Sequence, residues 1–306
     1  MGARIESVAT SRSHKGPLAR GALHLSDVAA RKCLDRGGHR ASDIDLLVNA
    51  GLYKDRNMAE PALASIIQED IGANPGHPPR IGRHGTFSFD VINGGCGVLS
   101  AAHLVDAFVG AGVAHLGLIV AGDADPSPST SRGFPFPPVG GAILLGNPDP
   151  DEGFARFAFR TFPQHADLFE VRLHWEARSR HNVLEVREHA DFAKRCVECA
   201  TEATTAFLGS VGLRIGEIDL VIASQYPPAF SADLARALGI SPDRAPEARP
   251  ELGCAHTAGP IASLESAIVS GRFAQARNVL FVTVGAGVTT AIALYRGVLE
   301  TAGVPR

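Results

Sequence analysis

The chain of 306 residues carries 29 Lys+Arg against 32 Asp+Glu, a formal net charge of −3 at pH 7. This near-neutral balance argues against nucleic acid and anionic membranes as partners, because proteins that bind them usually carry a basic surplus. Hydrophobic residues make up 45% and charged residues 20%, proportions that exclude a disordered chain. No apolar stretch approaches the roughly 18 residues of a membrane span and no secretory signal is visible, so we expect a cytoplasmic protein.

The first half of the chain predicts alternating helices and buried strands. Apolar residues recur at three- and four-residue spacing in the helices, and the strands are short apolar runs of the kind found inside α/β sheets. In chain order the segments are a helix over 25–35, a strand over 43–49, a helix over 61–68 followed by Gly72, a small-residue helix after Asn93, and strands over 116–121 and 141–145.

The second half repeats this order. Its segments are strands over 154–175, a helix over 192–208, a strand over 217–223, a helix over 230–238 followed by Gly239, a small-residue helix after Gly253, and strands over 278–284 and 291–295. The phrases Asp-Ile-Asp-Leu-Leu-Val-Asn at 43–49 and Glu-Ile-Asp-Leu-Val-Ile-Ala at 217–223 are nearly the same. We therefore predict a duplicated α/β unit with halves at 1–150 and 151–306; the alternative is coincidence between unrelated halves.

The strongest chemical signal is Cys96. It follows the pair Gly94 and Gly95 and opens an Ala-rich helix, a position where backbone N–H groups and the helix dipole favour a thiolate. The alternative is a buried structural cysteine, which is the commoner role of a free cysteine. The flanking glycines favour a nucleophile.

At these residues the chain resembles the thiolase superfamily, and within it the ketoacyl-ACP synthase III branch. The resemblance covers nearly the whole chain and rests on three anchors: Asp90 to Gly97, Gly253 to Thr257, and the phrase Val-Gly-Ala-Gly-Val-Thr at 284–289. It implies a duplicated five-layered α-β-α-β-α fold and a homodimer. It also implies that Cys96 takes an acyl group from an acyl-CoA or acyl carrier protein thioester, and that backbone N–H groups of Cys96 and Ala286 stabilise the oxyanion.

Two positions depart from the branch, whose members carry a His and an Asn that activate malonyl decarboxylation. Ser224 stands at the His position and His256 at the Asn position. Thiolases also carry a His at the second position, so the resemblance implies that His256 is the base that deprotonates Cys96. The alternative for His256 is a core histidine bonded to the backbone. For Ser224 we expect orientation of His256 or binding of a carbonyl oxygen.

Glu60 precedes Pro61 in a segment that, in relatives, reaches into the partner subunit's acyl pocket. Relatives that condense two acyl thioesters without decarboxylation use a Glu there as the base, and an apolar pocket would raise the pKa of such a carboxyl. The alternative is a Glu placed favourably at a helix N-terminus. The branch's CoA-contacting phrase is missing between Val8 and Leu25, which favours a carrier-protein thioester over free CoA.

The other cysteines give weaker indications of function than Cys96. Cys196 and Cys199 form a lone CxxC pair without further ligands, which favours helix packing over metal or redox chemistry, and Cys254 is interpreted as structural. We predict no metal and no cofactor beyond the CoA or phosphopantetheine thioester that serves as substrate.

The sequence thus predicts an acyltransferase or condensing enzyme of specialised lipid or secondary metabolism, with Cys96, His256, Glu60 and Ser224 as catalytic residues. The acceptor is a carbon, oxygen or nitrogen nucleophile. The alternative from another class is a non-catalytic partner subunit of a heteromeric thiolase-like complex.

Overall fold

The computed structural model describes residues 1–13, 21–74, 85–177 and 180–297. The stretch over 14–20, part of the segment where the CoA-contacting phrase is missing, and the C-terminal residues 298–306 of the predicted second half lie outside the described residues. The elements of the first half are β1 (Arg4–Arg12), α1 (Ala22–Gly37), β2 (Leu46–Asn49), α2 (Leu63–Ile71), β3 (Phe87–Asp90), α3 (Gly97–Gly110), β4 (Gly117–Asp123) and β5 (Val139–Gly146).

The elements of the second half follow a similar succession, with one hairpin added and no counterpart of β3. They are β6 (Gly153–His165), β7 (Phe169–Glu176), β8 (His181–Glu188), α4 (Phe192–Ser210), β9 (Leu220–Ala223), α5 (Phe230–Leu238), α6 (Gly259–Val269), β10 (Asn278–Gly285) and β11 (Gly287–Arg296). Strands β7 and β8 pair only with each other among the described strands.

The two main sheets share one topology. The first has the strand order β1-β5-β4-β2-β3 and the second has β6-β11-β10-β9. In both, the central strand pairs in parallel with the strand of the repeated phrase and antiparallel with the strand that follows it. Strand β3 has no counterpart in the second sheet, where the corresponding stretch contains the short turns Pro242–Arg244 and Pro250–Leu252. The predicted α/β fold class is confirmed.

The repeated phrase has a physical reason that spacing alone does not show. Asp45 accepts hydrogen bonds from the N–H groups of His115 and Leu116, just before β4. Asp219 accepts them from the N–H groups of Arg277 and Asn278, where β10 begins. Each carboxylate thus ties its own strand to the central strand of its sheet. The regular strands β2 and β9 begin only after these aspartates, three residues later than the predicted starts.

Five layers result. Helix α1 covers one face of the first sheet, α3 and α6 lie between the two sheets, and α4 covers the outer face of the second sheet with α5 beside it. Small side chains from α3 and α6 and the inner faces of both sheets form the central core. Gly72 and Gly239 end α2 and α5 in the left-handed conformation, as helix C-termini often require. Within the described residues, no helix is long and apolar enough to cross a bilayer.

A buried carboxylate joins the central layer to the first half. Glu265 on α6 is 2% exposed and accepts hydrogen bonds from the Thr10 hydroxyl, from Arg36 at 2.5 Å and from Arg249 at 3.0 Å. Burial alone would raise the pKa of Glu265, but the bonds from Thr10 and Arg36 outweigh burial and lower the pKa. The carboxylate is therefore charged in the folded protein.

We expect Glu265→Ala to lower the free energy of unfolding by about 2 kcal/mol, because Thr10 and two arginines lose their buried acceptor. Urea denaturation measures the change. Because the folded-state pKa is lowered, the contribution of Glu265 is present above the pKa of the unfolded chain and is lost as pH falls through the folded pKa. The matched control is Glu198→Ala, whose ion pairs lie on the exposed face of α4 and should contribute at most about 0.5 kcal/mol. Equal stabilities of the two variants would contradict the assignment.

Candidate active site

Cys96 closes a short turn, Gly94–Cys96, that leads directly into α3. The side chain is 0% exposed, and the thiol donates to the carbonyl oxygen of Thr289 at 3.4 Å. Burial raises the pKa of the Cys96 thiol to about 12, although Thr283 beside it acts in the opposite direction. Burial thus opposes a resting thiolate, and the thiolate expected from the helix N-terminus stays a prediction.

Two glycine-rich segments, one from each half, meet at Cys96. A β-carbon at Gly95 would overlap the carbonyl oxygen of Val284, so this close approach requires glycine. A β-carbon at Gly285 would lie 3.7 Å from the Cys96 nitrogen. The end of β10 thus crosses the turn that precedes α3, and the next residue, Ala286, is exposed at the cavity wall.

The two predicted oxyanion groups differ in their bonding. The N–H of Cys96 donates to the carbonyl oxygen of Asn93 at 3.0 Å and closes the turn. Ala286 lies between β10 and β11, and among the described residues no turn or loop hydrogen bond from its N–H is found. The Cys96 N–H can donate to an oxyanion only if it shares its hydrogen with the carbonyl oxygen of Asn93 or breaks that bond.

His256 lies in the loop before α6, on the opposite half from Cys96. Its Nδ1 is 2.9 Å from Asp123 Oδ2, and the side chain is 10% exposed. The opposite ring nitrogen, Nε2, faces the cysteine turn, since a β-carbon at Gly94 would lie 4.0 Å from it. With Nδ1–H donating to the carboxylate, Nε2 is left as an acceptor that points at the turn. Phe136 stacks on the imidazole with ring centroids 4.2 Å apart.

Asp123 is the residue that sequence reasoning missed. It ends β4 and is 2% exposed; its Oδ1 accepts the N–H groups of Leu52 and Tyr53, at 2.9 and 2.8 Å. Its Oδ2 accepts from the His256 imidazole and from the N–H and hydroxyl of Thr257, at 3.1 and 2.7 Å. Burial opposes ionisation, but these bonds, that of His256 foremost, lower the pKa of Asp123 to about 2. The available signal was a carboxylate at the carboxyl end of an entirely apolar strand.

Ser224 supports the backbone instead of facing the cavity. It is 1% exposed, and its hydroxyl oxygen accepts the N–H of Val284 at 3.1 Å. This bond holds the end of β10 immediately before Gly285 and Ala286. Among the described residues, no hydrogen bond joins Ser224 to His256. The Nδ1 atom of His256 is bonded to Asp123 instead.

Glu60 is exposed and lies outside the cavity of its own chain. The segment that carries it is held at both ends by Asp90, whose carboxylate accepts from Lys54 Nζ at 2.6 Å and from the N–H groups of Leu63 and Ala64. Burial acts to raise the pKa of Asp90, but these partners, Lys54 foremost, lower it. The segment is therefore anchored, and Glu60 lies on its outer surface.

A cavity of about 180 Å³ adjoins these groups. Gly94, His256 and Ala286 contribute to its wall, and most of the remaining wall is aromatic or aliphatic: Tyr53, Phe169, Phe192 and Tyr226. Phe134 and Phe136, from the loop over 132–138, pack behind Tyr53 with centroids 5.0 and 5.2 Å away. An imidazole that accepts a proton, two converging glycine-rich segments and an apolar cavity are the parts that acyl transfer needs.

The CxxC pair packs within α4. Cys196 and Cys199 are free thiols, 0% and 4% exposed, in the outer core of the second half. Cys254 is also a free thiol and is partly exposed, at the wall of a surface cleft. All five cysteines of the chain are free.

Comparison with known proteins identifies the fold. Residues 208–297 match the family of 3-oxoacyl-[acyl-carrier-protein (ACP)] synthase III C-terminal regions. The chain is 25% identical over 291 residues to the beta-ketoacyl-[acyl-carrier-protein] synthase III of Rhodospirillum rubrum. The matched region covers 89% of this chain and 83% of that protein.

Two solved structures extend the likeness to the whole chain. A 3-oxoacyl-[acyl-carrier-protein] synthase III from Aquifex aeolicus superposes with a TM-score of 0.79 at 16% identity, covering 96% of this chain and 100% of that one. OleA from Xanthomonas campestris, with bound lauric acid and lauroyl-CoA, superposes with a TM-score of 0.79 at 15% identity, covering 97% and 99%. The predicted thiolase-like fold is confirmed.

We expect Asp123→Asn to slow alkylation of Cys96 by iodoacetamide at neutral pH by roughly tenfold or more, because His256 loses the charge that orients and stabilises its protonated ring. Peptide mass spectrometry at timed intervals measures the rate at Cys96. Thr257→Val is the matched control: it removes one hydrogen bond to Asp123 and keeps the carboxylate, so the rate should change less than about threefold. An unchanged rate in a folded Asp123→Asn protein would show that the carboxylate does not act through His256.

Proposed function

We propose that this chain, a ketoacyl-ACP synthase III-like protein of the thiolase superfamily, is an acyltransferase. It takes an acyl group from a CoA or carrier-protein thioester onto Cys96 and passes it to a carbon, oxygen or nitrogen nucleophile. The observation that carries the proposal is the His256–Asp123 pair, which crosses between the halves and aims Nε2 at the turn of Cys96. The thioester is substrate, and the proposal includes no metal or cofactor.

Loading begins with a neutral thiol, because burial raises the pKa of Cys96. His256 Nε2 takes the thiol proton while the sulfur attacks the carbonyl carbon of the thioester. Asp123 stays ionised and stabilises the imidazolium that forms. The tetrahedral intermediate then collapses, the carbon–sulfur bond to the donor breaks, and the departing thiolate takes the proton from His256. The acceptor nucleophile reverses these steps on the Cys96 acyl thioester.

The oxyanion that forms in each step needs donors close to Cys96. The proposal assigns the N–H groups of Cys96 and Ala286, which lie on the two segments that meet at Gly95 and Gly285. Ser224 acts as a positioning residue for this loop through its bond to Val284. Such a bond keeps Ala286 in place without contact with substrate.

Simple acyl transfer fits the site better than decarboxylative condensation. Decarboxylation in this branch depends on a His and an Asn that hold an enolate oxygen, and here Ser224 is occupied by backbone and His256 by Asp123. We therefore place the protein in specialised lipid or secondary metabolism. Non-decarboxylative condensation would need Glu60 as a base, and because Glu60 is exposed on its own chain, that role belongs to the pocket of a partner subunit.

A homodimer is part of the proposal. Strand β3 ends the first sheet, and among the described strands its outer edge is unpaired. Phe87 on this strand and Ile92 just after it are 56% and 58% exposed, which is unusual for large apolar side chains beside an open strand edge. Pairing of two β3 strands would cover them. The five free cysteines fit a cytoplasmic location, where thiols stay reduced.

The second candidate function is the non-catalytic partner subunit. Cys96 favours it in two respects: its sulfur is 0% exposed and bonded to Thr289, and its N–H is used within the turn. The His256–Asp123 pair favours the enzyme, because a strongly perturbed carboxylate behind an imidazole at a cavity wall is typical of catalytic sites.

Incubation with acetyl-CoA and, separately, with acetylated carrier protein should add one acetyl mass to the intact chain. Cys96→Ala should abolish the addition, and His256→Ala should slow it by roughly 100-fold or more, since general base catalysis contributes factors of this size. Cys254→Ala is the control variant and should load normally. A wild-type chain that gains no acyl mass from either donor, or gains it on another cysteine, would favour the subunit.

Substitution of the exposed strand edge tests the dimer. We expect wild-type protein to sediment as a dimer and Phe87→Arg to sediment as a monomer, because a charge would be buried without a partner. Val113→Arg introduces the same charge at a residue that is 61% exposed after α3, and should leave the dimer intact. A monomeric wild-type protein, or a Phe87→Arg dimer of unchanged stability, would argue against pairing at β3.

A further inference from the structure

Two cavities lie on either side of one side chain, Tyr226. The first is the cavity of about 180 Å³ beside His256 and Gly94. The second is a surface cleft of about 440 Å³ whose wall includes Glu188, Cys254 and several prolines. Tyr226 contributes to the walls of both and is 8% exposed. The ring is therefore a partition between the site and the cleft.

The inner face of the partition is packed against the site. The Tyr226 ring meets Phe136 edge-to-face with centroids 4.8 Å apart, and it meets Phe169 at 6.1 Å. The His256 ring lies 6.5 Å away. All three contacts have the edge-to-face geometry that aromatic pairs prefer.

The outer end of the partition is held by one polar contact. The Tyr226 hydroxyl donates to the carboxylate of Glu188, the last residue of β8, which is exposed at the cleft. Burial raises the pKa of Tyr226 and the adjacent carboxylate raises it further, so the hydroxyl keeps its proton and remains a donor. An exposed acceptor can exchange this bond for water at small net cost.

The remaining cleft wall is stiff. Pro135, Pro137, Pro228 and Pro250 line it, and proline fixes one backbone dihedral of each residue. Among the described residues, Tyr226 is the side chain that the cleft wall shares with the cavity beside His256.

The size of the inner cavity shows why the position of the Tyr226 ring matters for access to Cys96. An apolar cavity of roughly 150 Å³ holds a ligand about as large as benzene. A cavity of about 180 Å³ accordingly accepts a small acyl group but not the acyl group together with the thioester arm that delivers it. The arm needs further space, and the cleft beyond Tyr226 supplies it.

We propose that Tyr226, held by Glu188, is a gate that determines the size of the group admitted from the cleft to Cys96. With the hydroxyl on Glu188 the site admits small groups only; when the hydroxyl leaves Glu188, the ring turns aside and the two cavities join into one path for a thioester arm. This inference rests on the proposed function for its substrate, but the gate itself is a property of access to the thiol.

Alkylation of Cys96 by reagents of two sizes tests the gate without requiring acyl transfer. Iodoacetamide is the small reagent and N-(1-pyrenyl)maleimide the bulky one, and peptide mass spectrometry gives the rate at each cysteine. In the wild type we expect the bulky reagent to label Cys96 slowly. Tyr226→Ala should raise that rate by roughly tenfold or more while the iodoacetamide rate changes less than about threefold. Glu188→Ala, which removes the acceptor of the Tyr226 hydroxyl and keeps the ring, should raise the rate of labelling by the bulky reagent by a smaller factor.

Two internal controls keep the result interpretable. Cys254 lies in the cleft outside the gate, so its labelling by the bulky reagent should be the same in all variants. Glu251→Gln changes another carboxylate of the cleft wall that pairs with Arg249 and not with Tyr226, and should leave the Cys96 rates unchanged. A Tyr226→Ala protein in which Cys254 is labelled but Cys96 still resists the bulky reagent would overturn the gate. A chain that shows the size effect but never gains an acyl mass would keep the gate and refute the acyltransferase.

Discussion

The site depends on the carboxylate of Asp123. Five hydrogen bonds converge on it, two from the segment at Leu52 and Tyr53 in the first half and three from His256 and Thr257 in the second. A charge buried to this extent is tolerated only where every lone pair has a partner. The same bonds that satisfy the charge therefore fix where the second half docks on the first, and they orient the imidazole as a consequence.

The thiol follows the opposite principle. Cys96 is surrounded by apolar side chains and by the strands β10 and β11, so burial keeps it protonated and unreactive at rest. Reactivity then has to come from a base that is already in position and from donors aimed at the developing negative charge. The imidazole of His256 thus lies between the charged carboxylate of Asp123 and the turn that carries the neutral thiol of Cys96.

Much of the architecture could be predicted from local sequence. The period of the apolar residues, the glycines after α2 and α5, and the repeated phrase around Asp45 and Asp219 are readable one segment at a time. They predicted the helices and most strands, but not β1, β3 or β8. What escaped prediction depends on contacts between distant segments. Asp123 meets His256 and Thr257 only after the halves dock, the burial of Cys96 is created by the second sheet, and the hydroxyl of Ser224 turns to Val284 because β10 ends beside it.

Besides the β7–β8 hairpin, the missing counterpart of β3 is a large asymmetry between the described parts of the two halves. Where the first half continues its sheet, the second has a stretch of turns that ends in the loop of His256. A strand at that position would commit its backbone to a ladder, whereas a loop can cross to the other half. Equivalent stretches of the two halves thus differ: one is a strand whose outer edge is unpaired among the described strands, and the other is a loop that brings His256 to Asp123. Substitutions in that loop can therefore change its contacts with the first half and leave both strand ladders undisturbed.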